Sequence, residues 1–306
     1  MRSKASEEFR GTIMKPLVVT LAATLFFSGC GRKTDEDTII LYGRENNSGT
    51  YMYFKEHVLN KADFAAHVQT LPGTAAVINA VSKDPHSIGY GGIGYVKGVR
   101  TVPVKKDDAS PAVQPTLQNV VDGSYPISRY LYFYTVHEPE GALRHFIAWV
   151  LREEGQEVCQ KVGYYPLPPE RRVQVKSSGA RAERKTITVK GSDTMVILGQ
   201  RWADHYMAKF PGTVVQVTGG GSGTGIAALI NAATDICQSS RPLDEKERAQ
   251  IRVKFGKDPV EIPVAMDGLA VFVHESNSLK AITLGELKAI YTGKVRSWRE
   301  LGSASR

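Results

Sequence analysis

The residues of this chain that are best suited to chemistry are serines and threonines in a repeated Ser-x-Thr pattern. The pattern occurs at Ser48-Gly49-Thr50, Ser192-Asp193-Thr194 and Ser222-Gly223-Thr224. Each copy follows a β-branched run and precedes apolar residues at helical spacing, so each is predicted to open a helix. For any single copy, the simplest role of the hydroxyl is to cap a free backbone N–H.

A further serine turn and two arginines favour a second role for these turns. Ser239-Ser240-Arg241-Pro242 precedes a predicted helix over Asp244–Lys254, and Arg44 lies four residues before Ser48. Helix N-termini offer unpaired N–H donors and partial positive charge, which suits an anion. Arginine adds planar, bidentate pairing with an oxyanion. The turns taken together predict a site for a tetrahedral oxyanion.

The sequence lacks the motifs that three common kinds of catalytic site require. A phosphate-cradling NTPase loop needs Gly-Lys-Ser/Thr, and no lysine follows Gly225. A nucleophile elbow needs Gly-x-Ser-x-Gly, whereas Thr224 stands where the last glycine should be. The histidines lack metal-ligand spacing; they are His57, His67, His86, His137, His145, His205 and His274. We therefore expect a binding protein with no cofactor and no metal, and keep a phosphatase that uses a Ser-x-Thr hydroxyl as the enzymatic alternative.

The elements that position these turns are short strands that alternate with amphipathic helices. This alternation predicts an α/β layered fold. The predicted strands are Thr38–Tyr42, Tyr130–Val136, Thr186–Lys190, Val214–Thr218 and Leu269–Val273. The inward faces of three helices are predicted to carry Phe54 and Val58, then Leu198, Trp202 and Tyr206, then Ile226, Leu229, Ile230 and Ala233.

Composition and charge narrow the class of protein. The chain has 306 residues, 42% hydrophobic and 23% charged, which excludes collagen-like, disordered and disulfide-scaffold proteins and allows two domains. The net charge of +8 falls to +6 without residues 1–29, and residues 171–185 alone carry +5. No aromatic residue interleaves with those basic side chains, so we interpret residues 169–185 as a solvated linker and expect no nucleic-acid partner.

The first thirty residues have the pattern of an export signal. Met14-Lys15 precedes the apolar run Pro16–Phe27, which ends in Ser28-Gly29-Cys30. This run is too short for a membrane span. We expect residues 1–29 to be removed, translation to start at Met14, and Cys30 to be lipidated, because Phe27–Cys30 resembles a bacterial lipobox. Phe27 departs from that pattern, in which a smaller aliphatic residue is usual, and an uncleaved leader or a buried Cys30 is the alternative. The other cysteines, Cys159 and Cys237, are expected to be buried thiols, with a disulfide between them as the alternative in an oxidising compartment.

Four segments carry a more specific pattern. They are Tyr42-Gly-Arg-Glu-Asn-Asn-Ser-Gly-Thr50, Ile187-Thr-Val-Lys-Gly-Ser-Asp-Thr-Met195, Val217-Thr-Gly-Gly-Gly-Ser-Gly-Thr-Gly225 and Asp235-Ile-Cys-Gln-Ser-Ser-Arg-Pro242. As a set they resemble the substrate-binding proteins of phosphate ABC transporters, over residues 37–168 and 186–301. The resemblance implies a monomeric lipoprotein, in the periplasm or on the outer face of the cytoplasmic membrane, that captures inorganic phosphate and delivers it to an ABC permease. Another oxyanion such as sulfate, or a phosphate sensor, is the alternative.

The segment order differs from that of the family. Family members begin with the strand and Gly-Ser-Asp-Thr turn that here start at Thr186, and they reach the turn of Arg44 in mid-chain. Their C-terminal stretch resembles Gly163–Pro168, which here runs into the basic linker. We interpret this order as a circular permutation, which compact domains with neighbouring termini tolerate, and keep a rearranged gene as the alternative.

The resemblance also implies the fold, an α/β periplasmic-binding-protein-like (type II) architecture of two lobes with the ligand between them. The two crossovers are expected near Pro263–Asp267 and Gly123–Ser128. One lobe would be continuous, over residues 126–266. The other would be split, over residues 36–125 and 267–306.

The phosphate-binding residues follow from the matched positions and their neighbours in the turns. They are Arg44, Ser48, Gly49, Thr50, Ser192, Thr194, Met195 (through its backbone N–H), Ser222, Gly223, Thr224, Ser240, Arg241 and Asp267. Ser240 stands where well-known members have an aspartate that accepts the proton of hydrogenphosphate. Asp267 or Asp193 is the candidate replacement, with a structural turn or hinge role as the alternative for Asp267 and a salt-bridged surface role as the alternative for Arg241.

Overall fold

The fold is known from a computed structural model that describes residues 37–94, 96–172 and 185–301. The predicted leader, Cys30 and residues 173–184 of the predicted linker lie outside the described residues. Strands and helices alternate along much of the described chain, as the sequence predicts. The strands are β1 Ile40–Arg44, β2 Gln69–Leu71, β3 Ser87–Gly92, β4 Arg100–Val102, β5 Val104–Lys105, β6 Ser128–Thr135, β7 Lys185–Gly191, β8 Thr213–Thr218, β9 Ile236–Ser239, β10 Val260–Val273 and β11 Ile282–Thr283. The α-helices are α1 Gly49–His57, α2 Gly73–Val81, α3 Leu117–Val121, α4 Gly141–Leu151, α5 Glu153–Val162, α6 Val196–Lys209, α7 Ser222–Ile230, α8 Glu245–Phe255 and α9 Leu284–Tyr291. The strands β3 to β5 follow one another directly, as do the helices α4 and α5.

The main sheet has the strand order β2-β1-β3-β10-β6-β9-β7-β8, with β4 also paired to β10. Strand β10 joins two groups of strands, because its Leu269–Val273 portion pairs with β3 and its Val260–Gly268 portion pairs with β6. We call β1 to β4 the first sheet half and β6 to β9 the second sheet half. The strands β1, β2 and β3 are mutually parallel, and so are β7, β8 and β9. The predicted α/β class is therefore confirmed.

Helices pack on the sheet through the faces that the sequence indicates. Leu198, Trp202 and Tyr206 are all fully buried on one face of α6. The prediction that Ala233 faces the core is wrong, since α7 ends at Ile230 and Ala233 is exposed. The chain turns there through Ala232, whose φ of 55° lies in the left-handed region.

The predicted crossover segments lie at the junction of the two sheet halves. Pro263–Asp267 lies within β10, where the register with β6 shifts between Pro263 and Ala265. Gly123–Ser128 leads directly into β6. Cys159 and Cys237 are both free and buried, so the expected pair of buried thiols is confirmed. Among the described residues, no helix is long and apolar enough to cross a membrane.

Candidate functional site

The Ser-x-Thr turns lie at the carboxyl ends of parallel strands, which brings them to one edge in each sheet half. In the first half β1 ends at Arg44 and α1 begins at Gly49. In the second half, β7 and β8 lead into α6 and α7, and β9 ends at Ser239. Crevices outside the carboxyl ends of strands are where open α/β sheets bind ligands.

Hydroxyls from different turns meet in a buried cluster. The Oγ1 atoms of Thr50 and Thr194 are 2.7 Å apart, although 144 residues separate them in the chain. The backbone N–H of Ser240 donates to Ser222 Oγ over 3.1 Å, and the two serine Oγ atoms are 3.4 Å apart. All four side chains are at most 3% exposed. We call Thr50, Thr194, Ser222 and Ser240 the hydroxyl cluster.

Gly49 brings the two sheet halves into close contact at this cluster. A Cβ atom added to Gly49 would lie 2.4 Å from Ser222 Oγ and 2.6 Å from Ser240 Oγ. Beside it, the Asn47 carbonyl accepts from the Gly223 N–H over 3.0 Å, and Asn47 Nδ2 donates to the Gly220 carbonyl over 2.9 Å. The halves are therefore closed against each other at the cluster.

Simple capping accounts for only one of the Ser-x-Thr serines. Ser48 is the N-cap of α1, and its Oγ accepts from the Thr50 N–H over 3.2 Å. Helices α6 and α7 have Met195 and Gly221 at their N-caps, and neither helix has a side-chain cap hydrogen bond. The hydroxyls of Thr194 and Ser222 are therefore not used to cap their own helices, which leaves them for other partners.

Arg44 is a buried cation whose ion-pair partner, Asp193, directly precedes Thr194 of the cluster. Its side chain is 1% exposed, Nη1 donates to Thr74 Oγ1 over 3.1 Å, and Nη2 lies 3.6 Å from Asp193 Oδ2. Within the described part of the chain Nε has no hydrogen-bond partner. Burial lowers the pKa of Arg44, and the charge of Asp193 opposes that shift. A buried guanidinium with donors to spare is suited to an anion.

A second buried arginine, Arg129, was missed in the sequence. It lies on β6 directly opposite Asp267 of β10, and Nε and Nη2 donate to Asp267 Oδ2 over 2.9 and 2.7 Å. Burial raises the pKa of Asp267, while Arg129 and the backbone N–H of Ile93 oppose the rise. Its signal in the sequence is limited to a charged residue directly before the aromatic-rich run Tyr130–Tyr134.

Several predicted ligand residues already form ion pairs or hydrogen bonds with other parts of the protein. Arg241 forms a paired contact with Glu247, with N–O distances of 2.8 and 2.6 Å, as its salt-bridged alternative expects. The Met195 N–H donates to the Ser192 carbonyl over 3.0 Å, so the expected free donor is committed to a turn. Thr224 is half-buried and its Oγ1 lies 3.5 Å from Asn47 Nδ2. Ser192 is buried and donates its backbone N–H to the Gln238 carbonyl over 2.8 Å.

The described residues hold no group of three or more histidine, cysteine or acidic side chains placed to bind a metal ion. What the site offers is four clustered hydroxyls, helix N-termini and two buried guanidinium groups. This set of donors is suited to a small oxyanion.

Comparison with known proteins gives consistent matches. A family model described as a PBP superfamily domain matches residues 33–154 and 176–306. The phosphate-binding protein PstS 2 of Streptococcus agalactiae is 30% identical over 287 residues, which cover 90% of this chain and 92% of that protein. The phosphate-binding protein PstS of Pseudomonas aeruginosa is 38% identical over 178 residues. That match covers 52% of this chain and about half, 54%, of the relative.

A solved structure matches as well. The phosphate-binding protein of a phosphate ABC transporter from Streptococcus pneumoniae is 25% identical, with a TM-score of 0.65. The match covers 87% of this chain and 100% of that chain. The periplasmic-binding-protein-like fold expected from the sequence is thereby confirmed.

Proposed function

This chain belongs to the PBP superfamily and, within it, to the PstS-type phosphate-binding proteins, and from that membership we propose that it binds inorganic phosphate for an ABC transporter. The observation that carries the proposal is the hydroxyl cluster, in which turns from both sheet halves meet beside buried Arg44. Phosphate has four oxygens and needs donors from several directions. The cluster and the guanidinium can supply them.

The mechanism involves binding and release without a covalent step. We take the two sheet halves as parts of two lobes, residues 36–125 with 267–306 and residues 126–266. Phosphate would contact both lobes only when they are closed, so binding shifts the population toward the closed form. A wrong anion leaves buried donors unpaired, at a cost of about 1–3 kcal/mol for each donor, and this cost supplies specificity.

The cellular setting follows from the same proposal. We take residues 1–29 as an export signal and Cys30 as the lipid attachment site, so that the protein is held at the outer face of the cytoplasmic membrane. A monomer would dock on the membrane-embedded permease and release its phosphate there. The protein performs no catalysis in this role.

The permuted order of the segments stays a prediction, and one feature of the fold supports it. The Trp298 N–H donates to the Asp37 carbonyl over 2.9 Å, and the Ile39 N–H donates to the Arg296 carbonyl over 2.8 Å. Segments far apart in the chain therefore run side by side, as expected where a permutation has cut a loop that joins them in other family members. A cut at such a surface position leaves the sheet intact.

Calorimetric titration tests the function directly. The purified protein, freed of bound anion, is titrated with phosphate and then with sulfate between pH 5 and 8.5. We expect saturable phosphate binding at one site, with sulfate at least tenfold weaker. Tight sulfate binding without phosphate binding would establish the sulfate alternative. If the folded protein takes up neither anion, the proposed function is wrong.

A further inference from the structure

Arg129 and Asp267 form an ion pair at the junction of the two sheet halves. Their side chains are 1% and 0% exposed. Asp267 Oδ2 accepts from Arg129 Nε and Nη2, and Oδ1 accepts from the Ile93 N–H over 2.9 Å. The carboxylate therefore already receives three N–H donors, and little of its capacity as an acceptor remains.

The guanidinium of Arg129 also reaches the hydroxyl cluster. Nη2 donates to Thr50 Oγ1 over 2.9 Å, and Thr50 Oγ1 is 2.7 Å from Thr194 Oγ1. Nη1 is buried and has no hydrogen-bond partner in the described part of the chain. A buried charged group with an unused donor is costly, so a bound anion that pairs with it would be favoured.

We propose that Arg129 is a second cationic ligand of the bound anion and that Asp267 is its positioning residue. This proposal rests on the proposed function and adds to it a specificity-determining residue. It also changes the role expected of Asp267 in the sequence. The carboxylate holds the guanidinium in place and does not accept the proton of hydrogenphosphate.

Two features distinguish this role from a purely structural ion pair. Burial of an ion pair seldom stabilises a fold more than apolar packing of the same volume would, so stability alone is a weak reason for one here. In addition, because Arg129 donates to the Thr50 oxygen, the Thr50 hydrogen is directed elsewhere, toward Thr194 or an anion. Arg129 thereby orients a predicted ligand as well as supplying charge.

The decisive variant removes both charges at once, so that no buried carboxylate is left unpaired. We compare Arg129→Met combined with Asp267→Asn, and Arg129→Lys, with the unaltered protein by phosphate titration. Arg248→Met is the matched control. Arg248 pairs with Glu261, which lies on β10 as Asp267 does, and neither Arg248 nor Glu261 belongs to the hydroxyl cluster. We expect the double variant to bind phosphate at least about 30-fold more weakly. The lysine variant should lie between the two, and the control within threefold of the unaltered protein.

A folded double variant that binds phosphate within threefold of the unaltered protein would overturn the proposal. If the double variant does not fold, the lysine variant decides, since a structural role predicts unchanged affinity and a ligand role predicts at least fivefold loss. Failure of the unaltered protein to bind phosphate would instead refute the proposed function itself.

The role of Asp267 has a separate readout. Under the proposal, Asp267→Asn weakens phosphate and sulfate binding in parallel, because it loosens a shared cation. A proton acceptor predicts a different result, in which sulfate binding improves relative to phosphate by tenfold or more. The ratio of the two affinities, measured at pH 7 and pH 8.5, separates these outcomes, and a tenfold relative gain for sulfate would refute the positioning role.

Discussion

The substitution Gly49→Ala is expected to weaken phosphate binding without harming the fold. The new Cβ would lie 2.4 Å from Ser222 Oγ, 2.6 Å from Ser240 Oγ and 3.0 Å from Ser222 Cβ, against about 3.4 Å for an ordinary contact. Rotating the serine hydroxyls away would remove the donors that phosphate needs. The two sheet halves would otherwise have to separate by roughly 1 Å at this point. Overpacking of this kind costs about 1–3 kcal/mol.

That cost corresponds to a rise in the phosphate Kd of about 5- to 150-fold. The fold itself should not suffer, because the overpacking falls on the closed form and is relieved when the proposed lobes open. In addition, Gly49 lies in the first turn of α1 without a positive φ, where alanine favours helix by about 0.5–1 kcal/mol. Binding and stability are therefore expected to change in opposite directions. A general loss of structure could not produce that result.

Calorimetry with phosphate and urea denaturation of each variant provide the two measurements. Gly285→Ala is the matched control, since Gly285 lies in the first turn of α9 and its added Cβ meets only Thr283 Oγ1, at 3.7 Å. We expect the control to keep its phosphate affinity. A Gly49→Ala protein that binds phosphate within threefold of the unaltered protein, or whose free energy of unfolding falls by more than about 1 kcal/mol, would contradict this prediction.

Arg44→Met should raise the phosphate Kd at least about 30-fold through loss of a buried charge, and calorimetry showing less than a threefold change would contradict this. Asp244→Ala removes the capping box of α8, so the free energy of unfolding should fall by about 1 kcal/mol in urea while phosphate affinity stays constant. In protein carrying Cys30→Ser, Cys159 and Cys237 should resist a thiol reagent while the protein is folded, because burial raises the pKa of both thiols. After denaturant is added, both should react, and two thiols should be counted. Rapid reaction of either in the folded protein would show that it is accessible.

The strands and the turns that follow them could be predicted because their signals are local. The run before Arg44 and the run before Ser192 are each rich in β-branched residues, and each is followed by a serine turn and a helical apolar face. Parallel pairing then brings such turns to one edge of a sheet. These local signals account for the turns within each sheet half, whereas the contact between Thr50 and Thr194 across the two halves depends on the tertiary fold.

Arg129 could not be found in the same way. Its partner Asp267 is 138 residues away in the chain, and the pair forms only because β6 and β10 run antiparallel in one register. A shift by one residue would face Arg129 away from Asp267. The partner of Arg241 is marked by a local motif. Glu247 closes the capping box that begins at Asp244, and the Asp-x-x-Glu pattern before a helix can be seen in the sequence.

Strand β10 has a consequence for the time at which the chain can fold. Its residues Val260–Val273 complete the sheet on both sides, beside β3 and beside β6. Until that segment has been synthesised, each half exposes an unpaired strand edge, and neither can reach its final hydrogen bonding. Neither sheet half can therefore be completed before β10 has been synthesised, because this one late segment pairs with both. Export in the unfolded state, which we propose for this chain, is compatible with such a delay, because the early segments cannot complete their sheets before they cross the membrane.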